Sequence, residues 1–128
     1  MELKNIFDDH KSWLLGKKGN NANIGHMSLT DYNFEGMDLS HMLAMSAELC
    51  RGDFSNCSLK SANFEGADLR DANFQGADLE GVDFSDADLR GANFLDTNLL
   101  GVDLWRANLQ GAIIGAEQLH QALLCKSK

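Results

Sequence analysis

The 128-residue chain contains no proline. Proline cannot donate to a backbone ladder, so its absence suits a chain that needs most of its N–H groups for pairing. Threonine occurs twice, at Thr30 and Thr97, too rarely for the threonine columns of an ice-binding face. No apolar run nears the ~18 residues of a membrane span. No apolar segment behind a basic start reads as a secretion signal. The expectation is a cytoplasmic protein with no membrane partner. Cysteine is sparse, and Cys50, Cys57 and Cys125 are irregularly spaced. With the scattered His10, His26, His41 and His120, they give no zinc-ligand spacing. Cys57 falls in a slot usually held by Ala and reads as a small buried hydrophobe. Basic residues are also few, 11 Lys and Arg against 19 Asp and Glu, a net charge of −8. Direct nucleic-acid binding calls for the opposite balance. Serine-triad spacing, the phosphate-cradling loop and the dinucleotide fingerprint are missing. The expectation is no enzyme, no cofactor and no metal.

What the chain does have is a period of five. From Ile24 to Leu124 every fifth residue is Leu, Phe or Ile, with Ala44 the exception, so 20 of 21 positions match. Two residues earlier sits a small residue, most often Ala, as at Ala62, Ala67 and Ala72. Between them lies Asn or Asp, as at Asn63, Asp68 and Asn73. A helix would smear such hits around its cylinder, since five residues turn it through about 500°. A flat strand would send successive hits to opposite faces. The chain keeps every fifth side chain inward only by bending at each repeat. Gly recurs two places after the centre, where a positive φ would serve the bend.

The central residues alternate strictly from Phe54 to Leu99, Phe then Leu. A period of ten is half of a four-sided coil of twenty. Phe34, Phe54, Phe74 and Phe94 should then stack in one interior column, with Phe64 and Phe84 opposite. Successive coils should lie roughly 4.8 Å apart, each burying its apolar face against the next.

The run Ser61-Ala62-Asn63-Phe64-Glu65-Gly66-Ala67-Asp68-Leu69-Arg70 closely resembles the consensus of the pentapeptide repeat proteins, and the resemblance covers about residues 22–116. It implies an all-β fold, a right-handed quadrilateral parallel β-helix of nearly five coils. The central residue and the one two before it would face inward. His10 and Trp13-Leu14 ahead of the first repeat look like bacterial and phage-encoded members. The stretch Met42-Leu43-Ala44-Met45 departs from the pattern, so a local distortion is expected there.

A solenoid leaves a raw edge at each end. One domain is expected over 1–128, with covers at both ends. Leu3, Ile6, Phe7, His10, Trp13 and Leu14 share one helical face, predicting a capping helix over 1–16 that stops at Gly16. The coil should run over 22–115. Glu117 would be a charge at an inward slot, which is costly. A short C-terminal helix is therefore predicted over 116–125, with Leu119, Ala122 and Leu123 on one side.

Two surfaces stand out. Residues 22–116 carry 15 acidic and 5 basic side chains, a balance of −10. Some family members are acidic dimeric rods that mimic DNA and bind type II topoisomerases such as gyrase, and the resemblance extends that reading to this chain. Against it, the four sides carry −3, −2, −3 and −2, with no acidic stripe. Acidity also serves solubility. Asp68, Arg70, Asp88 and Arg90 stack on one side and form a candidate partner surface. The slot after the centre is usually polar, yet Leu95, Leu100 and Trp105 fill it on three consecutive sides. With Leu119 and Leu123 they form a candidate self-association surface, and a homodimer through the C-terminal end is expected. The function expected is protein–protein contact through an acidic solenoid surface.

Overall fold

The computed structural model describes residues 2–124, so Cys125 lies outside the described residues. Helix α1 (Leu3–Leu14) leads through a link into the coil, and helix α2 (Ala116–Leu124) follows it. In the coil, parallel bridges join each residue to the one twenty places on, from Asn23↔Leu43 to Asn93↔Ile113. One turn is therefore twenty residues with four sides, as the Phe/Leu alternation predicts. Each side bridges through a single residue, the one before the centre, because the rest of the five-residue unit turns the corner.

The unit Asp53–Cys57 shows why the sequence takes this form. The Asp53 N–H donates back to the Tyr32 carbonyl at 2.9 Å, and the Phe54 N–H donates forward to Asn73 at 2.7 Å. The Asn56 N–H reaches the Gln75 carbonyl at 3.0 Å, and the Cys57 N–H closes the turn on Phe54 at 3.2 Å. The remaining donor, the Ser55 N–H, bonds to Asp53 Oδ1 at 3.0 Å. All five N–H groups are occupied, so proline has no vacant slot and an Asn or Asp before the centre supplies the fifth acceptor. The same bond forms at Asn63, Asp68, Asn73 and Asp78, among others. At each corner the residue two after the centre has positive φ, near +73° at Gly91 and +58° at Arg51.

Phenylalanines fill the interior as predicted. Phe34, Phe54, Phe74 and Phe94 stack with centroids 4.6, 5.1 and 5.3 Å apart. Phe64 stacks on Phe84 at 5.6 Å and meets Phe54 edge-on. All six rings are buried. Cys57 is buried too, and its thiol donates to the Phe34 carbonyl at 3.0 Å. Burial pushes the Cys57 pKa up to about 11.

The distortion expected at residues 42–45 does not occur. Leu43 keeps its bridges to Asn23 and Asn63. Met42 and Ala44 are both fully buried, so the large and small inward residues have exchanged slots. Their summed volume still fills the coil, and the register survives.

Helix α1 ends in a Schellman turn. The Gly16 N–H bonds to the Trp13 carbonyl at 3.0 Å and the Lys17 N–H to Ser12 at 2.9 Å, with Gly16 at φ +73°. The helix covers the first coil: Phe7 meets Phe34 edge-on at 5.8 Å and Tyr32 at 6.1 Å, and His10 is buried. Trp13 stacks on His10 at 5.6 Å but keeps one face in solvent.

Candidate interaction surfaces

Helix α2 begins where Glu117 would have had to turn inward, and Glu117 is exposed on it. Within the coil the N–H of a central residue finds its acceptor in the next turn. The Leu99 N–H has no such turn below it and donates instead to Gln121 Oε1 of α2 at 3.1 Å. Ala122 is buried. Nine residues of helix span about 14 Å, too short to cover all four sides. On the two sides centred at 104 and 109, the N–H groups of Leu104, Arg106, Leu109 and Gly111 find no acceptor among the described residues. Leu104, Leu109 and Ile114 are only partly buried. Among the described residues the C-terminal end is thus half covered.

The five residues of the candidate self-association surface are all exposed, from 38% for Leu95 to 61% for Trp105 and 62% for Leu123. Leu95, Leu100 and Trp105 occupy three consecutive sides around the last full coil. Leu119 and Leu123 are one helical turn apart on α2 and share a face. Ala122, expected beside them, turns inward. Sequence reasoning missed Ile113, which is half exposed in a slot normally held by Asn or Asp. The signal was the consecutive Ile113-Ile114, where a polar residue should precede the centre. It also missed Gln121, whose acceptor role depends on where α2 lies across the coil. Trp105 is held in place: its N–H bonds to Asp103 Oδ1 at 2.9 Å, and the Arg106 guanidinium sits 5.2 Å from its ring centroid.

Asp68, Arg70, Asp88 and Arg90 do come together on one side. Each Arg grips the Asp two residues before it with two hydrogen bonds, at 2.8 and 2.7 Å for Arg70 and at 2.8 and 2.6 Å for Arg90. The Arg70 guanidinium holds the Asp68 carboxyl below the usual range, and Arg90 does the same for Asp88. The four form a flat and electrically neutral plaque. The other coil cations are paired as well: Arg51 with Asp31, Lys60 with Asp78 and Arg106 with Asp86. The net −10 of residues 22–116 therefore resides in acidic groups beyond these five pairs, spread over four sides.

The geometry defines a β-solenoid whose distinctive features all lie on its surface and ends. A family model for pentapeptide repeats matches residues 47–86 and 77–114, with eight copies, more than half of the chain. The chain belongs to the pentapeptide repeat family, whose known structures are right-handed β-helices. It is similar to a pentapeptide repeat protein from the Arabidopsis thaliana thylakoid lumen, 47% identical over 64% of this chain and 57% of that one, with a TM-score of 0.62. A pentapeptide repeat protein from the cyanobacterium Cyanothece is 28% identical over 77% of this chain and 64% of that one, with a TM-score of 0.47. The chain spans less than two thirds of the length of each of these two. The plasmid-mediated fluoroquinolone resistance protein QnrB1 is 14% identical over 81% of this chain and 89% of that one, with a TM-score of 0.24. A comparison with curated proteins finds no match.

Proposed function

We propose that this chain is a non-enzymatic solenoid that works by protein–protein contact, and that its half-covered C-terminal end joins a second copy of itself. The observation that carries the proposal is the coincidence at that end of exposed apolar side chains and N–H groups with no acceptor among the described residues. An uncovered solenoid edge invites pairing. A two-fold dimer needs one surface complementary to itself. Here the exposed Leu119–Leu123 face of α2 in one copy would cover the open 104–111 edge of the other, and the reverse. The acidic sides of the rod remain free for a different protein partner, with the Asp68, Arg70, Asp88 and Arg90 plaque as a landmark on one of them. The proposal includes a cytoplasmic location, consistent with the free thiols Cys50 and Cys57. It includes a bacterial or phage source, on the strength of the His10 and Trp13-Leu14 opening.

Trp105→Glu tests it. A charge would then sit where desolvation is needed, at a large aromatic of the kind that anchors interfaces. Light scattering should show a wild-type dimer and a mutant monomer, with the mutant's circular dichroism unchanged. A wild type that stays monomeric at high concentration contradicts the proposal. A second reading, a DNA-mimicking modulator of a type II topoisomerase, is favoured by the −10 balance of residues 22–116, whose five cations each pair with one of the fifteen coil carboxylates. A gyrase supercoiling assay decides it: mimicry predicts inhibition or protection that weakens with added salt.

A further inference from the structure

His10, on the inner face of α1, is the one fully buried imidazole, 1% exposed. The Ala22 N–H, at the entry to the coil, donates to His10 Nδ1 at 2.9 Å. The ring is therefore neutral, with its proton on Nε2. Nε2 and the Oδ1 of Asn21 are both buried and lack a hydrogen-bond partner of good geometry. The ionisable groups acting on the ring are Asp38, which favours the charged form, and His41, which opposes it, both on the first coil. The Ser40 backbone and the Asn21 side chain lie against it and, as hydrogen-bonding groups, also favour the charged form, and on its own helix Trp13 stacks over it.

We propose that His10 is an acid-released latch: protonating its ring breaks the Ala22 bond, lifts α1 from the first coil and bares that end of the solenoid. The reason is geometric. A second ring proton would sit on Nδ1 and point at the Ala22 N–H, setting donor against donor in a buried site. Burial lowers the His10 pKa from its ordinary 6.5, the Asp38 charge and hydrogen bonding by the Ser40 backbone and Asn21 opposing without reversing this. The sign follows. The folded state prefers the neutral ring, so the cover is fully stable above about pH 6.5 and loses stability as pH falls below it. Releasing α1 removes Phe7 from Tyr32 and Phe34 and exposes an apolar, unpaired edge. The rod would then offer a second docking end in acid.

An NMR titration of the full chain from pH 8 to about 4.5 tests the latch. The Ala22 amide and the Trp13 indole should shift together and reversibly, with a midpoint below 6.5, and the Ala22 amide should lose its exchange protection. His10→Asn keeps an acceptor near the Nδ1 position without titrating, and should stay flat over that range. His41→Gln removes the other ring near Trp13, 5.9 Å away, and should leave the transition in place. A flat wild type, a transition that persists in His10→Asn, or one that vanishes in His41→Gln would each overturn the proposal. Should His10→Asn fail to fold, the wild-type and His41→Gln titrations still decide.

Discussion

The two ends of this solenoid solve the same problem differently. At the N-terminal end, twelve residues of α1 lie over the first coil, with Phe7 packed on Phe34 and His10 bonded to the Ala22 N–H. At the C-terminal end, the nine residues of α2 satisfy Leu99 through Gln121 and bury Ala122, and the N–H groups of Leu104, Arg106, Leu109 and Gly111 find no acceptor among the described residues. The apolar residues on α1 that face the coil are at least partly buried, whereas Leu119 and Leu123 on α2 face water. Among the described residues one end is closed by its own helix, and the other is closed only in part. The contrast separates a cover from an interface.

The largest effect should come from breaking what both ends rest on. Phe74 stacks on Phe54 and Phe94 in the middle of the rod. Phe74→Ala removes that ring between tightly spaced coils and should cost about 3–5 kcal/mol. Denaturant unfolding measures it, and both ends should loosen together. A loss under about 1 kcal/mol would mean that the column carries little of the stability.

A smaller change sharpens the comparison at one end. Gln121→Ala takes away an acceptor of the Leu99 N–H. Losing a hydrogen bond of this kind costs about 1 kcal/mol. The Leu99 amide should exchange faster and α2 should fray, while the Ala22 amide keeps its protection. Equal acceleration at both ends would show that the ends are not independent.

The smallest effect belongs to the surface between the ends. Asp88→Asn keeps the turn acceptor but removes the charge that Arg90 grips. The pair is solvent-exposed, so the cost should be within about 1 kcal/mol and should shrink in high salt. Because Arg90 lowers the Asp88 pKa, the pair's contribution is present above the unbound carboxyl's 3.8. It is lost as pH falls through the lower folded value. Comparing melting curves of the variant and wild type at neutral pH and in acid checks both points.

The coil was legible in the sequence because one physical constraint repeats in every unit. A five-residue turn needs an inward large residue, an inward small one and an acceptor for its own N–H, and Phe74, Ala72 and Asn73 carry all three. Met42 and Ala44 were misleading because slot preference is statistical, whereas packing responds to total volume. The ends were half legible. The apolar face of α1 and the costly Glu117 marked both helices, and Leu95, Leu100 and Trp105 stood out against polar neighbours. The His10–Ala22 bond and the Gln121 acceptor were hidden, since each depends on how a helix lies across the coil, which no local pattern encodes. Ile113 could have been found by giving the slot before the centre the same scrutiny as the slot after it.

If the C-terminal edge is an interface, its N–H groups should be protected only when two copies meet. Amide-resolved hydrogen exchange at two widely separated protein concentrations tests it most directly. The N–H groups of Leu104, Arg106, Leu109 and Gly111 should exchange quickly when dilute and slow markedly when concentrated, while Phe74 and other coil amides stay unchanged. Exchange at those four amides that is equally fast at both concentrations would contradict the account.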